Sequence, residues 1–152
     1  MWVALAPLFA IWSRRSLAGT TLVTAACVWT ADLVATGIKP IAARPRPFES
    51  VPDADPLLGA TVGSSFPSGH AATSFAGAVV LSLLVRRAVP LLFALAVLIA
   101  FSRVYVGVHY PLDVIGGAAL GTAVALAAGL VVRAPPRPSG ARRRSAEAPP
   151  PG

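Results

Sequence analysis

The chain has 152 residues, of which 55% are hydrophobic and only 12% are charged, and its formal net charge is +7. A soluble domain of this length carries about twice that charged fraction, so the composition excludes an ordinary soluble protein and indicates an integral membrane protein. The single cysteine, Cys27, has no partner, which excludes an internal disulfide framework and a cysteine zinc site.

Long apolar blocks predict an all-α, membrane-embedded helical bundle. Four blocks predict membrane spans, at residues 16–38, 70–85, 89–106 and 111–132. At about 1.5 Å per residue, the first and the last reach roughly 33–35 Å, enough to cross the hydrocarbon core, whereas the second is short. Residues 1–12 are apolar but too short to span alone, so we expect a fragment of a further helix or an interfacial segment.

The C-terminal tail differs in composition from the rest of the chain. We predict a membrane domain at residues 1–133, followed by a basic, proline-rich and disordered tail at 134–152. The tail is either a solvated segment that stops transfer or a contact with anionic lipids through Arg142, Arg143 and Arg144.

The thirteen basic residues are distributed unevenly between the two ends of the predicted spans. If the residues before 16 face the cytoplasm, nine of them are cytoplasmic, namely Arg14, Arg15, Arg86, Arg87, Arg133, Arg137, Arg142, Arg143 and Arg144. The positive-inside rule favours this orientation and places the tail in the cytoplasm. The remaining four, on the outer side, are Lys39, Arg44, Arg46 and Arg103. The rule disfavours basic residues there, so we expect these four to have a function.

Three segments at the outer ends of the spans concentrate the ionisable residues. They are residues 39–47, 66–70 and 102–113. Together they supply Lys39, Arg44, Arg46, Ser68, His70, Arg103, His109 and Asp113. Both histidines of the chain belong to this set. Charged groups at a membrane edge are costly and usually functional, so the set predicts a site.

The chemistry of these residues indicates a phosphate cradle. Lys39, Arg46 and Arg103 can surround an anion that has several oxygens, because arginine makes bidentate phosphate contacts and lysine acts as a point charge. The stretch 68–70 precedes a predicted helix, whose free N–H groups and positive dipole end favour an oxyanion. Glycine at position 69 lets that oxyanion approach the backbone, and His70 stands at the rim.

The two histidines predict two different roles. Pro111 is expected to start the last helix, which places Asp113 in its first turn, close enough to accept a hydrogen bond from His109. That bond leaves the other imidazole nitrogen free as a nucleophile. Because His70 lacks such a partner in the sequence, we predict that His109 attacks phosphorus and His70 protonates the leaving oxygen. This set makes a poor metal site, so we predict no metal and no other cofactor.

Each pattern also has a purely structural interpretation when it is taken alone. A His-x3-Asp pair is often a helix cap, Pro-Ser-Gly is a common turn, and arginine at a membrane edge usually extends to the headgroups. The functional interpretation depends on all three segments occurring in order on one side of the membrane.

Taken together, the three segments resemble the type 2 phosphatidic acid phosphatase (PAP2) superfamily. The matching motifs are Lys-x6-Arg-Pro at 39–47, Pro-Ser-Gly-His at 67–70 and Ser-Arg-x5-His-x3-Asp at 102–113, within a resemblance that covers roughly residues 30–132. The resemblance implies a PAP2-like helical core and a metal-independent phosphatase. It implies His109 as the phosphorylated nucleophile, assisted by Asp113, with His70 as general acid. The phosphoryl oxygens would be held by Lys39, Arg46, Ser68, Gly69 and Arg103.

The resemblance implies a lipid phosphate or diphosphate substrate at the extracytoplasmic face, with undecaprenyl diphosphate as first choice. Phosphatidic acid, lysophosphatidic acid and phosphatidylglycerol phosphate are alternative substrates. A vanadate-dependent haloperoxidase and a non-catalytic lipid-phosphate-binding membrane protein are alternatives of other classes. Family members commonly have six spans with the motifs in the later four, whereas this sequence predicts four spans and the fragment at 1–12. Beyond membrane lipids no partner is predicted; nucleic acid is not, and the oligomeric state stays open.

Apart from Asp113, Asp32 is the one acidic residue inside a predicted span. It lies seven residues before Lys39, on the same helical face but about two turns deeper. We predict either a structural polar contact with a neighbouring span or a supporting contact with the cations of the site.

Overall fold

The computed structural model describes residues 1–14, 16–50, 57, 59 and 62–133. Over these ranges the chain forms six α-helices and a short 3-10 helix without any strand, which confirms the all-α prediction. The tail predicted at 134–152, and the boundary with it, lie outside the described residues.

The helices begin and end close to the predicted limits. They are α1 (Trp2–Ser13), α2 (Leu17–Ala42), α3 (Pro47–Ser50), α4 (Gly69–Leu84), α5 (Val89–Tyr105) and α6 (Pro111–Arg133), with the 3-10 turn Arg86–Ala88 before α5. Ser16 and Ser68 cap α2 and α4, because each hydroxyl accepts a hydrogen bond from a backbone N–H of the first turn. Pro111 is the first residue of α6, where the missing proline N–H costs nothing.

Three helical stretches are long and apolar enough to cross a membrane. They are Leu17–Ser50, which joins α2 and α3, Arg86–Tyr105 and Pro111–Gly129. The second predicted span is α4, whose 16 residues reach only about 24 Å, short of the hydrocarbon thickness. The length of α4 therefore agrees with the short second span that the sequence predicts.

The position of α4 at the centre of the bundle explains why a short helix is sufficient there. It packs against α1, α2, α5 and α6, and most of its residues between 71 and 81 are buried. Close approach to α6 depends on small residues, because a Cβ at Gly117 would meet the Ser68 carbonyl oxygen and one at Gly121 the Ala72 carbonyl oxygen. This packing fixes the first turn of α4 beside the first turns of α6.

The N-terminal apolar fragment forms a helix that packs on the bundle. α1 has 12 residues and buries Trp2, Ala6 and Ala10, while Leu8 and Ile11 are exposed. The helix contacts α2 and α4, and Trp2 occupies the space left open by Gly77 of α4. The fragment thereby closes one side of the bundle next to the cavity described below.

Candidate active site

A cavity of about 990 Å³ opens among α1, α2, α4, α5 and the loop that follows α5. Six of the eight predicted site residues line it: Lys39, Arg46, Gly69, His70, Arg103 and His109. The rest of its wall includes apolar side chains, among them Trp2, Val28, Trp29 and Ile99. One space is therefore lined both by apolar side chains and by the histidines and cations of the predicted site.

Two predicted site residues, Ser68 and Asp113, are fully buried and do not line the cavity. The Ser68 hydroxyl accepts the N–H of Ala71 at 3.5 Å, so it caps α4. Direct contact between the Ser68 side chain and phosphate therefore stays a prediction. Asp113 lies beside His109, and its supporting role stays a prediction.

The His109 imidazole faces Asp113 with its Nδ1 atom. The distance from Nδ1 to Oδ2 of Asp113 is 3.7 Å, slightly beyond a hydrogen bond. Nδ1 is buried and has no hydrogen-bond partner among the described residues. A shift of less than 1 Å would form the predicted bond.

The surroundings of His109 favour the neutral imidazole. Burial and then the positive charge of Arg46 lower the pKa of His109 to about 4, against the opposing effect of Asp113. The ring is therefore unprotonated at neutral pH, which is the state that a nitrogen nucleophile requires.

Arg44 forms an ion pair within the site, and this pair could not be predicted from the sequence. Its Nη1 donates to Oδ1 of Asp113 at 2.8 Å, and its guanidinium lies over the Tyr110 ring, 4.4 Å from the centroid. Sequence reasoning had placed Arg44 at the outer side without a partner. The only signal in the sequence was the predicted position of Arg44 on the side of the membrane where basic residues are disfavoured. The pairing itself gave no local signal, because 69 positions separate Arg44 from Asp113.

Arg46 is buried and held in a fixed orientation by two carbonyl oxygens. Nε donates to Gly63 and Nη1 to Val108, both at 2.9 Å. No hydrogen bond of the described residues uses Nη2, which leaves that nitrogen for an anion in the cavity. Arg103 is held more simply, because its Nε and Nη2 both donate to the Ser102 hydroxyl at 3.1 Å.

The start of α4 contributes backbone donors to the same cavity. The N–H groups of Gly69 and His70 make no hydrogen bond within the described part of the chain, as expected for the first turn of a helix. A Cβ at position 69 would lie 3.3 Å from Oδ1 of Asp32, so glycine avoids a tight contact with that carboxylate.

Among the residues that the structure describes, Asp32 is the one carboxylate that lines the cavity, together with three cations. It forms no ion pair among the residues that the structure describes. The excess of positive charge therefore suits an anionic ligand. Over the same residues, no group of three or more His, Cys, Asp or Glu side chains is placed to hold a metal ion.

Comparisons of this chain with known proteins agree on one family. The model of the PAP2 superfamily matches residues 17–136. An undecaprenyl-diphosphatase from Sulfolobus acidocaldarius is 38% identical over 123 residues, which cover 80% of this chain and 59% of that protein. A decaprenylphosphoryl-5-phosphoribose phosphatase from Mycolicibacterium smegmatis is 37% identical over 116 residues, which cover 76% and 62%. The chain thus spans about three fifths of the length of these relatives.

The fold agrees with a solved membrane structure. A transmembrane PAP2 type phosphatidylglycerolphosphate phosphatase from Bacillus subtilis superimposes with a TM-score of 0.67 at 25% sequence identity. The superposition covers 86% of this chain and 66% of that one. The three similar proteins carry names of three different lipid substrates.

Proposed function

The chain belongs to the PAP2 superfamily, and we propose on this basis that it is a multi-pass membrane phosphatase that hydrolyses a lipid phosphate or diphosphate. One observation carries the proposal: both histidines and three cations line a single cavity whose wall also includes apolar side chains. A phosphorylated headgroup would lie at the cationic end, and the adjoining lipid tail would lie along the apolar wall.

The proposed reaction has two steps on His109. In the first, the Nε2 lone pair attacks phosphorus, the bond to the leaving oxygen breaks, and His70 donates its proton to that oxygen. In the second, water attacks the phosphohistidine while His70 takes up a proton, which releases phosphate and restores both rings. Asp113 would stabilise the positive charge that develops on His109 during the attack.

The cationic residues would bind the phosphoryl oxygens without a metal ion. Arg46 offers its free Nη2, and Lys39 and Arg103 line the same end of the cavity. The N–H groups of Gly69 and His70 add donors at the positive end of α4. Such donors act most strongly where charge develops in the transition state.

We propose a polyprenyl diphosphate, undecaprenyl diphosphate first, as the substrate. Two of the similar proteins are named for polyprenyl lipids, which supports this choice. The relative from Bacillus subtilis is named for phosphatidylglycerolphosphate, and that lipid and phosphatidic acid are the alternatives. The site would face the extracytoplasmic side, with the tail in the cytoplasm, because this orientation of the chain in the membrane obeys the positive-inside rule.

The test is a phosphate-release assay on purified protein in detergent micelles. Undecaprenyl diphosphate, phosphatidylglycerol phosphate and phosphatidic acid are supplied in turn, with His109→Ala as the inactive control. Fastest release from the diphosphate supports the proposal, and faster release from a glycerolipid corrects the substrate. Binding of these lipids without any release would favour the non-catalytic alternative.

A further inference from the structure

The carboxylate behind His109 is held on both of its oxygens. Oδ1 of Asp113 accepts from Nη1 of Arg44 at 2.8 Å, and Oδ2 accepts from the backbone N–H of Tyr110 at 2.8 Å. Oδ2 is also the atom that lies 3.7 Å from Nδ1 of His109. The direction in which this carboxylate faces is therefore set by Arg44 and by the backbone of Tyr110.

Arg44 is itself anchored before it reaches Asp113. Its backbone N–H donates to the Ser64 hydroxyl at 3.0 Å, and its carbonyl oxygen accepts the N–H of Ser65 at 2.9 Å. Its guanidinium stacks on the Tyr110 ring, and this contact depends on a planar face that lysine lacks. The backbone and the guanidinium of Arg44 are therefore both held in place, so the donor that contacts Asp113 has a fixed position.

A second cation competes for the same carboxylate. Arg46 lies close enough to Asp113 for their charges to interact. A buried carboxylate that has lost its charged partner is unfavourable, so Asp113 would turn toward Arg46 if Arg44 were absent. That movement would take the carboxylate away from His109 and would engage the guanidinium that faces the cavity.

We propose that Arg44 is a positioning residue of the active site, which holds Asp113 against His109 and keeps Arg46 free for the phosphoryl group. This inference rests on the proposed function, because it gives Arg44 an effect on the nucleophile. Arg44 touches no substrate in this scheme and acts only through Asp113.

Titration of His109 provides a readout that does not depend on catalysis. The charged groups that face His109 are Asp113 from α6, Arg46 from the segment before α3 and Lys39 from α2. Arg44→Gln removes the cation that holds Asp113 against His109. The carboxylate then turns toward Arg46 and acts less strongly on the imidazole, so the midpoint of the His109 titration should move downward from about 4.

The experiment compares the full chain in detergent with Arg44→Gln, Arg44→Lys and the control Arg87→Gln, which alters an exposed arginine of the 3-10 turn. Labelling with ¹⁵N-histidine gives only two imidazoles to follow by NMR, and His109→Gln identifies one of them. Turnover is measured on the best lipid substrate. We expect Arg44→Gln to lose about 10- to 100-fold in kcat, with a smaller change in KM and a lowered His109 midpoint. The control should stay within about twofold of the wild type.

Two outcomes overturn the inference. The first is an Arg44→Gln protein with wild-type kcat, and the second is one with an unchanged His109 midpoint. If wild-type protein releases no phosphate, the proposed function fails, and the titration alone decides on Arg44. If Arg44→Gln does not fold, Arg44→Lys replaces it: a single donor without a planar face should cost about fivefold or more in kcat, and a wild-type rate would contradict the requirement for a guanidinium.

Discussion

The backbone N–H of Ser68 donates to the carbonyl oxygen of Asp113 at 2.9 Å. This bond joins the first turn of α4 to the first turn of α6, and Gly117 lies against the Ser68 carbonyl oxygen nearby. His70 follows Ser68 by two residues, and His109 precedes Asp113 by four. One contact between two helix starts therefore sets the relative position of both histidines.

The two histidines should fail in different ways when they are replaced. His109→Ala is expected to abolish phosphoenzyme formation, because it removes the nitrogen that attacks phosphorus. His70→Ala is expected to slow expulsion of a lipid alkoxide by about 10²–10⁴-fold and to affect p-nitrophenolate less, since that leaving group needs little protonation. Acid-quenched labelling with ³²P-substrate measures the first effect, and steady-state rates on both substrates measure the second.

The same labelling experiment separates the two assignments. Label trapped on His109→Ala but not on His70→Ala would reverse the roles. Normal labelling of both variants would mean that neither histidine is the nucleophile. Asp113→Asn serves as an intermediate case, which should keep the fold but lose much of the rate because an amide stabilises the imidazolium poorly.

Activity should persist in EDTA and should be inhibited by vanadate. The cradle relies on Lys39, Arg46 and Arg103, so removal of divalent ions leaves the proposed machinery intact. Vanadate adopts the five-coordinate geometry that attack by His109 would produce, and transition-state mimics bind tightly. The assay is phosphate release with each additive, and loss of activity in EDTA that magnesium restores would reject the mechanism.

Stability should fall at mildly acidic pH because of His109. Its pKa is about 4 in the folded protein, against an ordinary value of 6.5. Between these values the unfolded chain binds more protons, so the folded state loses stability as the pH falls through that window. The thermal unfolding midpoint in detergent should therefore drop more between pH 7 and pH 5 for the wild type than for His109→Gln. Equal drops in the two proteins would show that His109 is not held in its neutral form.

The helical fold, and the clustering of most candidate site residues, could be predicted because the sequence marks them locally. Apolar blocks defined the long helices, and Pro111 gave the start of α6. The three motifs stand at helix ends on one side, so six of their residues meet in one cavity. What the sequence could not provide was the central position of α4, since lipid-facing and buried apolar helices have similar compositions.

Side-chain pairing between distant segments was also beyond the sequence. The pair of Arg44 and Asp113 joins residues 69 positions apart, and nothing local distinguishes Arg44 from Arg46 as its partner. Ser68 shows the opposite difficulty, because its motif position suggested a phosphate contact while its hydroxyl caps α4. A short polar residue before a helix can fill both roles, so the phosphate contact of Ser68 stays a prediction.

Gly121→Ala should destabilise the bundle. A Cβ at this position would meet the Ala72 carbonyl oxygen in the core of the α4–α6 contact, and backbone atoms cannot rotate away. We expect a cost of about 1–3 kcal/mol, typical of overpacking. Gly37→Ala is the matched control, because nothing lies within 4 Å of a Cβ there. Thermal unfolding in detergent measures both variants, and equal midpoints would contradict the close packing of α4 on α6.

The loops that carry the motifs should face away from the cytoplasm, because nine of the thirteen basic residues lie at the other ends of the spans. Val62 is fully exposed in the segment before α4, and Arg87 is exposed at the opposite end of that helix. Cysteine is introduced at either position in a Cys27→Ala background, and intact cells are treated with a membrane-impermeant maleimide. Val62→Cys should react before lysis and Arg87→Cys only after it. The reverse pattern would place the site in the cytoplasm, where the phosphatase would meet lipids of the inner leaflet instead.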